Sequence, residues 1–323
     1  VDGKGRFTPE AGELAGLQVF EANPVIIEML RSRGLLLAAD EVRHSYPHCW
    51  RCHRPTVFRA TEQWFIGMER NELRRRALEE VARVKWSPAW GYDRIYQMIA
   101  NRPDWCISRQ RVWGVPIVAF YCAGCGERLA DIEALRHTVG VFARETADAW
   151  YLRPPRELLP EGTRCGRCGG AEFRKESDIL DVWFDSGSSH LAVLGKRGDL
   201  PWPSDQYVEA ADQYRGWFNS SLLVALGTRG GAPYRQVATT GWVLDAQGCA
   251  MSKSLGNVVA PHEVWNKYGA EILRLWVASV DFREEMRISD ELLARLAEAY
   301  RKIRNTFRFA LSNLFDFAPE RDS

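Results

Sequence analysis

Eight cysteines lie at positions 49, 52, 106, 122, 125, 165, 168 and 249, and six of them form three C-x-x-C pairs. Such a knuckle places two thiolates on one tight turn, at the separation a single tetrahedral ion needs, and two knuckles close the shell. Cys122/Cys125 and Cys165/Cys168 sit in Tyr121–Gly126 and Arg164–Gly170, where glycines let the backbone wrap a metal and point amides at sulfur. The opening residues Val1–Arg6 show no basic-then-apolar signal pattern, so paired cysteines read as metal ligands rather than disulfides. The expectation is a structural zinc (Zn2+) ribbon made by Cys122, Cys125, Cys165 and Cys168, because four thiolates leave no open position for water. Cys49/Cys52, in His48–His53, is a knuckle without a partner in this chain, and the spacing of His44, His48 and His53 matches no familiar finger. Cys106 reads as a small buried hydrophobe.

A second stretch suits phosphate chemistry. In Met251-Ser-Lys-Ser-Leu-Gly-Asn257 small hydroxyl residues flank a lysine, and glycine and asparagine end the turn. Such a loop can close on a polyphosphate, Lys253 supplying a mobile cation and Ser252 and Ser254 hydrogen-bond donors. It follows Thr240–Gly248, which reads as a strand and turn leading into the loop.

The elements that must position these groups are legible in outline. The chain has 323 residues, 43 Lys+Arg against 42 Asp+Glu, and 46% hydrophobic residues, values that exclude a collagen-like, disordered or low-complexity protein. No stretch approaches the roughly 18 apolar residues of a membrane helix. Helical spacing marks Pro24–Arg33, closed by Gly34, then a basic amphipathic helix over Asn71–Val84 and a short helix over Ile95–Ile99. Val112–Phe120 and Ser177–Phe184 read as buried strands, with further strands over Gln206–Glu209 and Gln236–Val243 and a helix over Trp217–Leu226. Strands alternating with helices predict a parallel α/β sheet. Residues 121–170, rich in Pro and Gly, read as an insertion of lower order, and from Ala270 onward the pattern is helical and basic.

The Met251–Asn257 run resembles the KMSKS loop of class I aminoacyl-tRNA synthetases. Asn101–Pro116, Leu180–His190, Glu209–Phe218, His44–Cys52 and Ile272–Ser279 sharpen the resemblance to the isoleucyl-tRNA synthetase family, collinearly over nearly the whole chain. The resemblance implies ATP-dependent activation of L-isoleucine to isoleucyl-adenylate and transfer to tRNA(Ile), in a cytoplasmic, monomeric parent enzyme. It implies that Glu209 contacts the adenylate, that Asp212 and Gln213 line the same pocket, and that Trp183 and Trp217 wall the isoleucine side chain. It makes Ala250, Met251, Ser252, Lys253 and Ser254 the ATP loop, with Lys253 steadying the phosphates of ATP bound with Mg2+. In relatives a second C-x-x-C completes the Cys49/Cys52 site.

The implied fold is the second half of a class I Rossmann-type sheet (44–120 and 171–269). A remnant of the editing insertion (1–43) precedes it, the zinc-ribbon insertion (121–170) interrupts it, and an all-α tail (270–323) begins the anticodon-binding region. The sequence departs from the family at Ala250, where the loop's first lysine stands, at Thr240, where a histidine stands, and at Ala210, where a glycine follows the acid. No HIGH-type motif is present, so the chain alone is expected to be inactive. A non-catalytic zinc-containing tRNA-binding module, or a valyl- or leucyl-type relative, is the alternative.

Overall fold

Short polar turns and apolar strand segments divide this chain into local elements. The computed structural model describes residues 1–49, 52–253 and 255–322, and these form two compact units, Val1–Gln63 and Trp64–Ser323. In the first unit the expected helix is α1, Ala22–Ser32. Gly34 (φ +66°) ends it, and the amide of Leu35 donates to the Leu30 carbonyl at 2.9 Å, satisfying a terminal acceptor. A bridge between His48 and Pro55 closes the knuckle segment.

The second unit begins with α2 (Leu73–Arg83), β1 (Lys85–Ser87) and α3 (Trp90–Ala100). Leu73, Ala77 and Val81, four residues apart, form the buried stripe of α2. Its arginines are not simply a solvated face. Arg74 donates to the carbonyls of Ile99 (2.6 Å) and Arg102 (2.8 Å) at the end of α3, and Arg76 to that of Leu226 (2.9 Å).

The chain continues through β2 (Ser108–Arg109), β3 (Phe120–Cys122), α4 (Ile132–Glu145), β4 (Phe173–Lys175), β5 (Ile179–Leu180) and α5 (Val182–Gly187). Then come β6 (Ser204–Ala210), α6 (Trp217–Thr228), β7 (Tyr234–Thr240) and β8 (Val243–Leu244). The last elements are α7 (Pro261–Tyr268), α8 (Ala270–Ser279), β9 (Met286–Arg287) and α9 (Asp290–Asn313). Strands β1, β7 and β6 form a three-stranded parallel sheet in that order; the alternation predicts a parallel sheet and marks β6 and β7, but not β1 at Lys85–Ser87. Helix α6, buried from Phe218 to Leu226, packs with Tyr207, Tyr214, Tyr234 and Val237 in one core. A Cβ on Gly187, at the end of α5, would come 2.8 Å from the Ser220 carbonyl carbon and oxygen, so only glycine lets α5 approach α6 this closely.

Three expectations are corrected. Val112–Phe120 is not a buried strand: only Phe120 joins β3, and Val112 and Trp113 are 98% and 90% exposed. Pairing is confined to a single bridge between Pro116 and Ile179, with the Leu180 amide on the Val115 carbonyl (2.7 Å) and the Ile117 amide on the Asp178 carbonyl (3.2 Å), because Pro116 has no amide to extend a ladder. Ile179–Phe184 is a two-residue strand followed by a helix, because the Asp181 carboxylate accepts the Trp183 amide (3.2 Å) and starts α5. Residues 121–170 are an ordered module, not a loose insertion. Its core holds Phe120, Ala134, Val141, Ala149, Trp150, Leu158 and Leu159. No helix among the described residues is long and apolar enough to cross a membrane.

His190, 1% exposed, gives the fold a pH dependence. Trp202 Nε1 donates to its Nδ1 at 3.1 Å, and among the described residues its Nε2 has no partner. Burial, reinforced by the Arg229 charge, pulls its pKa down to about 4. The unfolded chain takes up this proton first, near pH 6.5. The stabilisation is therefore complete above that pH and is lost as pH falls toward 4, amounting to about 3 kcal/mol in full. Urea unfolding of wild type and His190→Gln at pH 7 and 4.5 should show the wild type losing about 2 kcal/mol more on acidification. Equal losses would remove His190 as the cause.

Candidate functional site

The parallel sheet delivers its polar residues to the carboxyl ends of β6 and β7, where open α/β sheets bind ligands. Glu209 stands opposite Thr239, and Ala210 opposite Thr240, so two of the three departures from the family pattern are neighbours. Asp212 and Gln213 follow in the 3-10 turn Ala211–Tyr214. Gln213 Nε2 donates to Asp212 Oδ2 (3.0 Å), while its Oε1 accepts the Trp217 amide (3.0 Å) at the start of α6. The carboxylates of Glu209 and Asp212 are exposed.

Two indoles flank this amide. Trp217 stacks on Tyr207, ring centres 3.9 Å apart and 10° between planes, and its Nε1 donates to Ser189 Oγ at 3.0 Å. Trp183, 41% exposed, folds over Gly216, where a Cβ would lie 2.5 Å from two of its ring carbons and 2.8 Å from Gln213 Oε1. Trp183, Gln213 and Trp217 thus converge around one backbone position. Two indole walls suit an apolar side chain, and the exposed carboxylates suit an ammonium or a ribose hydroxyl.

The Met251–Asn257 loop is held from both ends. Asp245 accepts the amides of Gln247 (3.0 Å) and Cys249 (2.8 Å), and Asn257 Nδ2 donates to Asp245 (2.8 Å) and to the Ala250 carbonyl (3.2 Å). These bonds, that from Asn257 first, hold the Asp245 carboxyl below the usual range. Asn257 Oδ1 accepts the Ser252 amide (2.9 Å), and Ser252 Oγ accepts the Leu255 amide (3.2 Å). Met251 packs against the cluster of Val264, Ile272, Trp276, Ile288 and Leu293. Lys253 is exposed and forms no ion pair among the described residues, while Ser254 lies outside them. Ala250 bridges to Leu244. The loop therefore belongs to the cluster built by β8, β9 and the last helices, whereas Glu209, Gln213 and the indoles belong to the parallel sheet.

The sulfurs of Cys122, Cys125, Cys165 and Cys168 all lie within 4.8 Å of one another, with Cys122–Cys168 at 3.5 Å and Cys125–Cys165 at 3.6 Å. A tetrahedral ion bonded at about 2.3 Å requires sulfurs about 3.8 Å apart, so the donor set fits one metal. Antiparallel pairing of β3 with β4 brings the knuckles together. In each, the first cysteine's amide donates to the carbonyl five residues on (2.8 Å), and its carbonyl accepts the amide four residues on, from Gly126 (2.9 Å) or Gly169 (2.8 Å). Both glycines have left-handed φ, +74° and +72°. Donation from the Cys125 amide draws the Cys122 thiol down to about 7, whereas burial and the neighbouring sulfurs push that of Cys125 up to about 12, so the clustered thiols do not all ionise together without a cation among them. The Cys49 segment repeats the pattern, Cys49 N to the Arg54 carbonyl (2.8 Å) and His53 N to the Cys49 carbonyl (2.7 Å), with His53 at φ +55°. Among the described residues Cys49 and Cys52 join no group of three or more such ligands.

Sequence reading missed Tyr207, Ser189, Asp181 and Asp245. Asp181 and Asp245 each precede a turn or helix start, the position where a carboxylate caps. Tyr207 and Ser189 had no signal, since their roles depend on contacts between distant segments.

A family model described as tRNA synthetases class I (I, L, M and V) matches residues 18–289. The isoleucine--tRNA ligase of Geobacter sulfurreducens is 59% identical over 322 residues, all of this chain but 35% of the relative. That of Nitratidesulfovibrio vulgaris is 57% identical over 99% of this chain and 34% of its own length. The chain thus spans about a third of the curated relatives it matches. Among solved structures, the LeuRS of Agrobacterium radiobacter K84, in ternary complex with tRNA and LeuAMS, shares the fold (TM-score 0.50, 21% identity, covering 67% of this chain and 30% of that one).

Proposed function

The chain belongs to the class I tRNA synthetases of the I, L, M and V group, and we propose that it is the isoleucine-pocket and ATP-loop portion of an isoleucine--tRNA ligase. The enzyme activates L-isoleucine with ATP and Mg2+ as substrates and transfers it to tRNA(Ile) in the cytoplasm, acting as a monomer. The observation that carries the reading is the convergence of Trp183, Gln213 and Trp217 beside Glu209 at the carboxyl ends of the parallel strands.

In this reading the indoles of Trp183 and Trp217 desolvate the aliphatic side chain, which favours a branched hydrocarbon over any polar one. Glu209 and Asp212 accept hydrogen bonds from the amino group and ribose. Gln213, its oxygen already used by the Trp217 amide, keeps its own amide donors turned to Asp212 and so fixes that carboxylate. Lys253, on a loop anchored by Asp245 and Asn257, approaches the phosphates. Charge develops on the departing pyrophosphate, so a cation there lowers the barrier. Cys122, Cys125, Cys165 and Cys168 hold a structural zinc ion, a zinc ribbon, and Cys49/Cys52 are half of a second site. Residues 1–43 derive from the editing insertion, 44–120 and 171–269 from the catalytic domain, and 270–323 lead into the anticodon-binding region.

Isothermal titration of the chain with a non-hydrolysable isoleucyl-adenylate analogue tests the pocket. Binding is expected, weakened about tenfold or more in Glu209→Ala through loss of charge-assisted hydrogen bonds. Absence of binding, or an unchanged affinity in the variant, overturns the assignment.

A further inference from the structure

Asp181 is 3% exposed, and its carboxylate is the meeting point of three segments. Oδ1 accepts the backbone amide of Trp183 at 3.2 Å. Oδ2 accepts Trp105 Nε1 at 3.1 Å and pairs with Arg109 Nη2 at 2.9 Å. Its own amide donates to the Ile107 carbonyl (2.7 Å), and its carbonyl accepts the Phe184 amide (2.7 Å). The β2–β5 pairing, Ser108 with Leu180 and Arg109 with Ile179, sets the register that brings these donors to it. The indole of Trp105 in turn carries the Arg102 guanidinium 5.4 Å above its centre.

A buried carboxylate is costly unless every lone pair is used, and here the two oxygens are divided between two tasks. One starts the helix that carries Trp183. The other is tied to Asn101–Pro116, a stretch that contributes no wall to the pocket described above. Trp183 is the more exposed of the two indoles and, among the described residues, shows no ring stack or side-chain hydrogen bond like the Tyr207 stack and Ser189 bond of Trp217. Its placement over Gly216 therefore depends on where its backbone begins.

We infer that Asp181 is the positioning residue of the amino-acid pocket, holding Trp183 at its wall through the cap while Trp105 and Arg109 hold Asp181. This rests on the proposed role of Trp183 as a pocket wall. The shape of that wall, and with it discrimination between aliphatic side chains differing by one methylene, is thereby set from outside the pocket.

The test uses the full chain labelled with 5-fluorotryptophan, the Trp183 resonance being assigned by its loss in Trp183→Phe. Asp181→Asn, Arg109→Gln and Trp105→Phe are compared with wild type. In Asp181→Asn and Arg109→Gln the Trp183 signal is expected to shift or broaden while that of Trp217 stays in place. Binding of the isoleucyl-adenylate analogue should weaken about tenfold, with a smaller loss for the valyl analogue. Trp105→Phe, which removes one donor and keeps the ion pair, should fall between. If Asp181→Asn does not fold, Arg109→Gln and Trp105→Phe carry the test, because both leave the cap intact. An unmoved Trp183 signal in folded variants overturns the positioning role. A moved signal with unchanged analogue binding upholds the positioning and instead overturns Trp183 as a pocket wall.

Discussion

Removal of metal by a strong chelator is expected to melt the two knuckles of the 121–170 module and leave the parallel sheet folded. The Cys122 and Cys168 sulfurs, and those of Cys125 and Cys165, are 3.5 and 3.6 Å apart. Without a cation, thiolates at that separation repel, and the repulsion works against the two backbone hydrogen bonds that close each turn. Structural zinc in small peptides stabilises by about 10–16 kcal/mol near pH 7, which sets an upper scale for the effect. Part of the module should survive, because Phe120, Trp150 and Leu158 form an independent apolar core with α4. Amide hydrogen exchange would read this locally. Protection should vanish at Gly126 and Gly169, whose amides close the two turns, and persist at Val237 and Ala238 in the sheet. Metal analysis should give about one zinc per chain. Cys165→Ser should reproduce the chelated pattern. Unchanged exchange after chelation, or a metal content of zero, would remove the zinc assignment.

Gly187→Ala is expected to destabilise the Trp64–Ser323 unit through a clash with main-chain atoms. The new carbon would stand 2.8 Å from the Ser220 carbonyl carbon and oxygen, which are main-chain atoms of a buried helix and cannot swing aside. Helix α5 would have to withdraw from α6. Overpacking of this kind costs about 3 kcal/mol and sometimes more. The withdrawal would also displace Trp183, four residues before Gly187, from its place over Gly216. A urea unfolding midpoint lowered with an unchanged slope, together with weakened binding of the adenylate analogue, is the expected outcome. Wild-type stability would show that the helices can separate without loss.

Much of the architecture is written in short-range patterns. The parallel sheet, α2 and the buried helix after Gly216 follow from strand–helix alternation and from residues spaced to line one face. Each cysteine knuckle follows from spacing and composition, because it is a local turn that its own glycine closes. The 1–4 spacing says that two sulfurs converge, and only the β3–β4 pairing shows that the pairs meet. The misread segments are those where local propensity was overruled. Ile179–Phe184 has strand-forming residues, but one carboxylate at Asp181 turns it into a helix. Val112–Phe120 is apolar, but Pro116 limits its pairing to a single bridge and two of its largest side chains face solvent.

The sequence by itself determined the residue types of the site: a carboxylate at Glu209, an amide at Gln213, indoles at Trp183 and Trp217, and a lysine loop ended by glycine and asparagine. It did so because these chemistries reside in individual side chains and in turns a few residues long. Only the tertiary structure decided which of them share a space. Trp183 reaches Gln213 and Trp217 because Gly187 lets two helices touch and Gly216 leaves room for a ring. Asp181 reaches Trp105 and Arg109 across some 70 residues of chain because β2 pairs with β5. Such contacts depend on close packing between distant segments, which no local pattern of residues encodes.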